Sequence, residues 1–350
     1  MFEQGVIRPP SEAFSLLVRV TRNCPWNRCH ICPAYKGKTF SRRSVEEVKK
    51  DVDEMAKVYD ARSFTSAFLQ DADTLILPTE DLVEIIRHIK TRFPHIERVT
   101  TYARAKSMKK KRVEHYQRLK EAGLNRIHTG MESGSARVLK LIQKGNKPED
   151  ILQGGKRVVE SGISLSEYIM PGVGGREWSR EHAMETARLL NQIRPNFIRV
   201  RTFAIHPLSP FQRMIEEGTF VPMSDEEVVE EIRLLLENLD EMPSHFRCGD
   251  FSLNLLMQVD GRLDTDKQAM MKELDRYLSL PREEKQVYSL IQRAYPGMRS
   301  LDIVKDKRAT EKLREEIRRL ETEEEEDGFN RYIRRLMSFQ LPQPQTDVWA

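Results

Sequence analysis

Strand-like and helix-like segments alternate along this chain from residue 14 to about residue 240. Short apolar runs rich in β-branched or aromatic residues predict six strands, at 15–20, 63–69, 98–102, 126–129, 164–170 and 197–203. Segments with helical patterning lie between them, at 44–58, 80–93, 109–122, 135–143, 147–161 and 179–193. This alternation implies parallel strands joined by right-handed crossovers. The sequence therefore predicts an α/β fold, a partial (β/α)6 TIM-like barrel with a C-terminal helical extension.

The pattern changes after Pro243, where helical segments follow one another with few strand signals. We therefore expect three regions: a barrel at 1–242, a helical C-terminal extension at 243–338 and an extended tail at 339–350. A barrel of six units leaves its mouth open to water. We expect the helices from about residue 250 to cover that mouth and to shape a substrate pocket.

Composition excludes several classes of protein. The net charge of the 350 residues is +4, which is too small to argue for nucleic acid by itself. Four cysteines, three of them clustered, do not make a disulfide framework, and they favour a reducing cytoplasm. The N-terminus lacks the apolar core of a signal peptide, and no run of about 20 apolar residues predicts a membrane span.

Cys24, Cys29 and Cys32 lie on one loop after the first predicted strand, with the spacing C-x4-C-x2-C. Thiolates are soft ligands for zinc or for iron–sulfur clusters. Three of them can bind three irons of a [4Fe–4S] cluster and leave the fourth iron open for chemistry. A zinc site with His30 as the fourth ligand is an alternative, and a set of buried thiols without metal is another.

The cysteine loop resembles the cluster loop of the radical S-adenosylmethionine (SAM) superfamily, whose usual spacing is C-x3-C-x2-C. This chain has one extra residue between Cys24 and Cys29. Residues 126–145 closely resemble the GxESG…VLxxxxKG stretch shared by the Elongator catalytic subunit, methylthiotransferases and oxygen-independent coproporphyrinogen dehydrogenase. Residues 168–175 are similar to the glycine-rich fifth-strand motif of that branch. The resemblance covers about residues 14–210 and names no substrate.

This resemblance implies a [4Fe–4S] cluster on the three cysteines and SAM bound beside it. It also implies reductive cleavage of SAM to a 5′-deoxyadenosyl radical that abstracts hydrogen from a substrate. The residues that we expect to contact SAM are Ile31, Asp71, Asp73, Tyr102, Arg104, Glu132, Ser133, Lys144, Gly172 and Arg201.

Five of these expectations come from matched positions or from charge. In the superfamily, the residue at the position of Ile31 packs near the adenine of SAM. The residue at the position of Glu132 contacts the ribose or the methionyl part of SAM, and in some relatives the residue at the position of Lys144 contacts the methionyl carboxylate. Asp71 and Asp73 stand where most relatives carry a glycine–glycine–glutamate turn for the SAM ammonium, and Asp73 is preferred. The alternatives are turn or helix capping for the two aspartates and an exposed helix end for Lys144.

The remaining expectations come from positions at strand ends. Tyr102 and Arg104 end the third strand and form a polar wall for SAM or substrate, unless Arg104 is a surface arginine. Ser133 follows the fourth strand, and Gly172 lets backbone approach a ligand, unless it serves only a turn. Arg201 on the sixth strand meets carboxylates of SAM or substrate if its face is the barrel interior.

Three classes of function stay open. The preferred class is an enzyme of a small-molecule or lipid-like substrate, served by an electron donor such as flavodoxin or ferredoxin. An RNA-modifying enzyme is less favoured, because only the basic cluster at Lys106, Lys109, Lys110, Lys111 and Arg112 indicates nucleic acid. A zinc-binding interaction protein is the third. Only one cysteine lies outside the loop, so no second cluster is predicted.

Overall fold

The computed structural model describes residues 2–322 and 327–341. Its strands are β1 Leu16–Arg19, β2 Thr21–Arg22, β3 Ser41–Arg42, β4 Ser66–Gln70, β5 Arg98–Tyr102, β6 Leu124–Glu132, β7 Ser164–Ile169, β8 Phe197–Val200, β9 His245–Arg247 and β10 Asp260–Arg262. Its helices are α1 Val45–Val58, α2 Thr79–Arg92, α3 Ala105–Lys110, α4 Val113–Ala122, α5 Ala136–Leu141, α6 Pro148–Glu160, α7 Gly175–Ile193, α8 Pro210–Glu216, α9 Asp225–Glu237, α10 Lys267–Leu278, α11 Arg282–Ala294, α12 Lys307–Thr322 and α13 Gly328–Ser338.

Eight strands form one sheet in the order β1-β4-β5-β6-β7-β8-β9-β10. Every neighbouring pair from β1 to β9 is parallel, and β9 pairs with β10 antiparallel. Strands that follow one another in chain order, with helices between them, are the arrangement of a partial barrel. The predicted α/β fold, the partial barrel and the helical C-terminal region are therefore confirmed.

The sheet is two strands longer than the six predicted. β9 and β10 lie after Pro243, so the sheet continues past the expected boundary at residue 242. That boundary stays a prediction, and residues 342–350 of the expected tail lie outside the described residues. Along 2–322 and 327–341, no helix has the length and apolar character that crossing a bilayer requires.

The helix expected at 109–122 is two helices, α3 and α4. The backbone is extended at Lys111 and Arg112, with ψ of 142° and 167°. Lys111 is buried there, and its ammonium donates to the Leu77 carbonyl at 2.9 Å and to the Thr79 hydroxyl at 3.2 Å. A buried ammonium needs such acceptors, so the turn that aims Lys111 at them separates the helices.

The face that each strand turns inward decides what the barrel interior contains. On β7, Ser166 accepts a hydrogen bond from Arg199 Nε of β8 at 2.9 Å, so these two residues share the inner face. Tyr168, two positions along β7, shares that face because side chains alternate along a strand. Leu165 and Ile169 point the other way, toward the helices, and both are fully buried. The interior is thus polar and aromatic, and a cavity opens at the carboxyl ends of the strands.

Candidate active site

Cys24, Cys29 and Cys32 lie on the loop of residues 23–40, which β2 and β3 close at its base. The three thiols are free and half-buried, and all three line one cavity of about 360 Å³. We call this space the cysteine cavity. Thus one loop brings three thiols to the carboxyl ends of the parallel strands, where barrels of this kind place their chemistry.

Two asparagines accommodate the longer spacing of the loop. Asn23 and Asn27 have left-handed backbone, with φ of 64° and 45°, a conformation that asparagine tolerates better than most residues. Asn27 Nδ2 donates to the Tyr35 carbonyl at 2.5 Å and to the Lys38 carbonyl at 3.3 Å, which ties the two sides of the loop together. The Asn27 amide also donates to Cys24 Sγ at 3.5 Å, as backbone amides do around iron–sulfur clusters.

Burial governs the protonation of these thiols. It raises the pKa of Cys29 to about 11, although Lys144 and Arg104 act in the opposite direction. It also raises the pKa of Cys32, against the Ala34 backbone and the charge of Arg201. Metal coordination deprotonates such thiols outright, so a bound cluster is the state in which this cavity holds thiolates.

Glu132 and Lys144 form an ion pair at the wall of the cavity. Lys144 Nζ donates to Glu132 Oε1 at 2.7 Å, and both side chains are largely buried, with 14% and 12% of their surface exposed. Glu132 lies at an irregularity in the register of β6 and has a left-handed φ of 63°. Its carboxylate folds back over Gly130, where a Cβ would lie only 2.1 Å from Oε1. Gly130 therefore makes room for the pair.

Six of the ten expected SAM-contact residues line the cysteine cavity: Ile31, Tyr102, Arg104, Glu132, Lys144 and Arg201. Arg104 Nη2 donates to the Lys144 carbonyl at 3.2 Å, which places a guanidinium beside the ion pair. Arg201 also lines the cavity, with its guanidinium carbon 5.8 Å from the centre of the Phe251 ring. These residues come from five separate segments, which the fold brings around one space.

The two aspartates after β4 do not line this cavity. Asp71 is fully buried and accepts hydrogen bonds from Arg19 Nε and from the Asn23 amide, each at 2.9 Å. Asp73 accepts from the Ser107 hydroxyl at 2.6 Å and from the Arg104 amide at 3.2 Å, at the start of α3. Burial raises the pKa of Asp73 to about 6. Both carboxylates thus have protein partners outside the cysteine cavity, and their expected contact with SAM stays a prediction.

Ser133 and Gly172 also lie away from the cavity. The Ser133 hydroxyl is buried and hydrogen-bonds the Ser135 amide at 3.0 Å and His182 Nδ1 at 2.8 Å. The Gly172 amide donates to Glu231 Oε1 at 2.7 Å, and burial raises the pKa of Glu231 to about 8. Both residues join the strand ends to the surrounding helices.

Several lining residues were not predicted. They are Ile7, Arg8, Asn27, Pro33, Ala34, Tyr35, Ala72, Ala103, Gly130, Tyr168, Met170, Phe251, Ser252, Leu253 and Gln340. Tyr168 and Met170 could have been found from the alternation along β7, which repeats every second residue. The hydroxyls of Tyr35 and Tyr168 are buried without a protein hydrogen-bond partner. Polar atoms left open in this way suit a cavity that holds a ligand.

The C-terminal part of the chain forms the roof of the cavity through Phe251, Ser252, Leu253 and Gln340. Arg293 of α11 joins these pieces. Its guanidinium pairs with Asp225 of α9 and donates to the Leu253 carbonyl at 2.6 Å, while its own carbonyl accepts from Gln340 Nε2 at 3.4 Å. Only 2% of Arg293 is exposed, so this junction is buried.

His30 does not complete a set of metal ligands at the cavity. Its ring packs edge-on against Phe211, 6.4 Å between ring centres, and the ring is not part of the cavity wall. Across residues 2–322 and 327–341, no group of three or more His, Cys, Asp or Glu side chains is arranged to hold a single metal ion. A [4Fe–4S] cluster makes a different demand, because each cysteine binds a different iron.

The family model of the radical SAM superfamily matches residues 18–190. A tRNA uridine(34) acetyltransferase from Methanocaldococcus infernus is 25% identical over 111 residues, which are 31% of this chain and 21% of that protein. Coproporphyrinogen III oxidase (HemN) from Escherichia coli is similar with a TM-score of 0.49 and 17% identity over 66% of this chain and 54% of that chain.

The archaeal Elp3 of Methanocaldococcus infernus is similar with a TM-score of 0.42 and 15% identity, over 57% of this chain and 50% of that chain. The matches thus span about a fifth of the curated relative (21%) and about half of each of these two structures (54% and 50%). The family match covers β1 to α7, which include the cysteine loop and the Glu132–Lys144 pair. Residues 18–190 therefore match a radical SAM domain, which confirms the resemblance of the cysteine loop and of the Glu132 motif to that superfamily.

Proposed function

We propose that this chain is a radical SAM enzyme that acts on a small-molecule or lipid-like substrate. Cys24, Cys29 and Cys32 would hold a [4Fe–4S] cluster, and SAM would bind beside it in the cysteine cavity. The observation that carries the proposal is the convergence of three thiols and the Glu132–Lys144 pair on one roofed cavity.

When bound together, a reduced cluster and SAM supply a 5′-deoxyadenosyl radical that abstracts hydrogen from a substrate. The chain's own residues bind and shield these groups. Glu132 offers a carboxylate to the ammonium or to the ribose hydroxyls of SAM, and Lys144 and Arg104 offer positive charge to the methionyl carboxylate. Ile31 offers an apolar surface to the adenine. Phe251 and Leu253 above them keep water away from reactive species.

A small molecule is favoured over RNA because the basic cluster at 106–112 is partly committed to the fold. Lys109 pairs with Asp150 at 2.9 Å, and Lys111 is buried against Leu77 and Thr79. RNA binding by a basic patch requires cations that are free to meet phosphates. The match to a tRNA-modifying relative keeps an RNA substrate as the second candidate.

The proposed enzyme also needs a one-electron donor, such as flavodoxin or ferredoxin. Trp26 lies between the first two cysteines, and three cations surround its ring: Arg28, Arg104 and Lys106 lie 5.4, 5.5 and 5.6 Å from the ring centre. A positive rim beside the cluster loop suits an acidic donor protein, because complementary charge steers encounter.

The test is anaerobic reconstitution of the full chain with iron and sulfide. Replacing Cys24, Cys29 and Cys32 together by alanine is expected to abolish bound iron, bound sulfide and the broad visible absorbance. Cys248→Ala is the matched control, because Cys248 is a buried core thiol outside the cavity. It should retain the full complement of iron.

The wild-type protein, supplied with SAM and dithionite, should also release 5′-deoxyadenosine. With deuterated cell extract, deuterium in that product would identify the substrate fraction. A triple variant that keeps its iron and sulfide, or wild-type protein that carries stoichiometric zinc without sulfide, would contradict the proposal.

A further inference from the structure

The charges around the cysteine cavity are unbalanced. Four cations line it, Arg8, Arg104, Lys144 and Arg201, whereas Glu132 is the one carboxylate among its described lining residues. Glu132 is already paired with Lys144. The proposed cofactors would remove at most about one charge of this excess, because a cluster with three thiolates carries about one net negative charge when oxidised and about two when reduced, and SAM carries about one net positive charge.

Among these cations, Arg201 is the one that is placed to bind a further anion. It follows β8 directly, and its amide donates to the Ile169 carbonyl at 3.0 Å, which fixes its backbone at the edge of the sheet. Two residues earlier, Arg199 has partners: its guanidinium bonds Ser166 and pairs with Asp250. Arg201 makes no ion pair within residues 2–322 and 327–341, and its guanidinium faces the Phe251 ring. A half-buried guanidinium of this kind is completed by an anion.

Based on the proposed function, we infer that the substrate carries an anionic group, a carboxylate or a phosphate, that binds Arg201. The Phe251 ring lies beside Arg201, and the same cavity is lined by the Tyr168 hydroxyl, which has no protein hydrogen-bond partner, and by Met170 and Leu253. These neighbours fit a substrate whose anionic end meets Arg201 and whose body is apolar or aromatic.

The same geometry separates this anion from the carboxylate of SAM. Glu132 ends β6, whereas Arg201 follows β8, and β7 lies between these strands. Two strand spacings are about 10 Å, so the two side chains start from separate positions on the cavity wall. Arg104 and Lys144 lie together at the Glu132 end, where they offer a methionyl carboxylate its positive charge.

The test uses anaerobically reconstituted protein that is saturated with SAM, and calorimetry as the binding readout. The probes are 3-phenylpropionate, phenyl phosphate and the neutral 3-phenylpropanamide. We expect one or both anions to bind at least about tenfold more tightly than the amide, since a charge-assisted contact to Arg201 is absent from the amide. Both anions carry a phenyl ring and differ in the acidic group and in the linker to it, so the tighter one indicates whether a carboxylate or a phosphate ligand fits better beside Arg201.

Arg201→Gln should weaken binding of the preferred anion by at least about tenfold and leave SAM affinity within about twofold of the wild type. Arg201→Lys should keep part of the anion affinity, because lysine retains the positive charge. Arg8→Gln is the matched control, because Arg8 is an exposed cation at the rim of the same cavity. It should change anion affinity by less than about twofold. Iron content and the thermal unfolding midpoint verify that each variant is folded and loaded.

Three results would overturn the inference. If the wild-type protein binds the two anions and the amide with equal affinity, the substrate does not need an anionic group. A large loss of SAM affinity in Arg201→Gln would assign Arg201 to SAM. Displacement of phenyl phosphate by a short oligoribonucleotide, with strong salt dependence, would assign the anion to an RNA substrate. By contrast, wild-type protein that holds no iron after reconstitution would contradict the proposed function itself.

Discussion

Gly130→Ala tests the Glu132–Lys144 pair without changing either charged residue. A Cβ at Gly130 would lie 2.1 Å from Glu132 Oε1 and 2.9 Å from Lys144 Nζ. Ordinary contacts between carbon and oxygen are longer than 3 Å, so the carboxylate must move by about 1 Å or more. The pair, now 2.7 Å apart, would then exceed the length of a hydrogen bond.

The expected effect falls on SAM affinity and much less on folding. Losing one charge-assisted hydrogen bond costs about 1.5–3 kcal/mol, which is roughly ten- to hundredfold in affinity. The atoms that obstruct the new methyl group are the ends of two flexible side chains. We therefore expect the free energy of unfolding to change by about 1 kcal/mol or less. Calorimetric titration of SAM into reconstituted protein measures the first quantity, and urea unfolding measures the second.

A double-mutant cycle makes this reasoning refutable. Glu132→Gln should weaken SAM to a similar extent, and Gly130→Ala should add little in that background, because both changes disable the same group. Gly297→Ala is the control, since the nearest atom to its new Cβ is 4.0 Å away. If Gly130→Ala binds SAM as tightly as the wild type while Glu132→Gln does not, the carboxylate acts from another position. Full additivity of the two changes would equally refute a shared cause.

Two further predictions concern Asp73 and Gly134, which belong to the same motifs and contact protein groups outside the cysteine cavity. Burial raises the pKa of Asp73 from 3.8 to about 6, so its contribution to stability is complete below pH 3.8 and is lost as the pH rises to 6. Asp73→Asn should therefore remove about 1–3 kcal/mol of pH dependence between pH 4 and 6, measured as the difference in urea unfolding from the wild type, and should leave SAM affinity unchanged. A tenfold loss of SAM affinity would return Asp73 to the ligand set. Gly134→Ala should destabilise the protein by about 3 kcal/mol or prevent folding, because the new Cβ would lie 2.2 Å from the backbone oxygen of Glu185 in α7, which cannot move aside as a side chain can. Unfolding free energy within 1 kcal/mol of the wild type would contradict this tight contact between the β6–α5 turn and α7.

The strands that carry a clear local pattern of strand-forming residues were predicted from the sequence. The strands that form only because a neighbouring strand offers a free edge were missed. β5 and β7 are runs of five and six residues with buried positions, and their extents were anticipated closely. β9 and β10 have three residues each, His-Phe-Arg and Asp-Gly-Arg, which carry little strand propensity. They are strands because β8 offers an unpaired edge to β9, and β9 then pairs with β10. Pairing of that kind depends on tertiary structure.

The same distinction explains the outcome for individual site residues. Cys24, Cys29 and Cys32 come together because they share one short loop, so their spacing alone predicted a common site. Asp73 was expected to meet the SAM ammonium because it stands after a strand, at the position of the superfamily's glycine–glycine–glutamate turn. Its carboxylate instead accepts a hydrogen bond from Ser107, which lies 34 residues further along the chain. Nothing in the local sequence indicates that partner. A motif near a strand end predicts the neighbourhood of a side chain better than its direction.

The roof of the cavity shows why barrel and C-terminal region act together. Arg293 is buried and charged, so its guanidinium needs partners, and these are Asp225 in α9 and the Leu253 carbonyl after β9. The backbone carbonyl of Arg293 accepts a hydrogen bond from Gln340 after α13. Removing one partner of such a group leaves a buried charge uncompensated, which costs about 3–5 kcal/mol. The residues that close the cysteine cavity are thus held by the same junction that fastens α11 and the chain after α13 to the barrel.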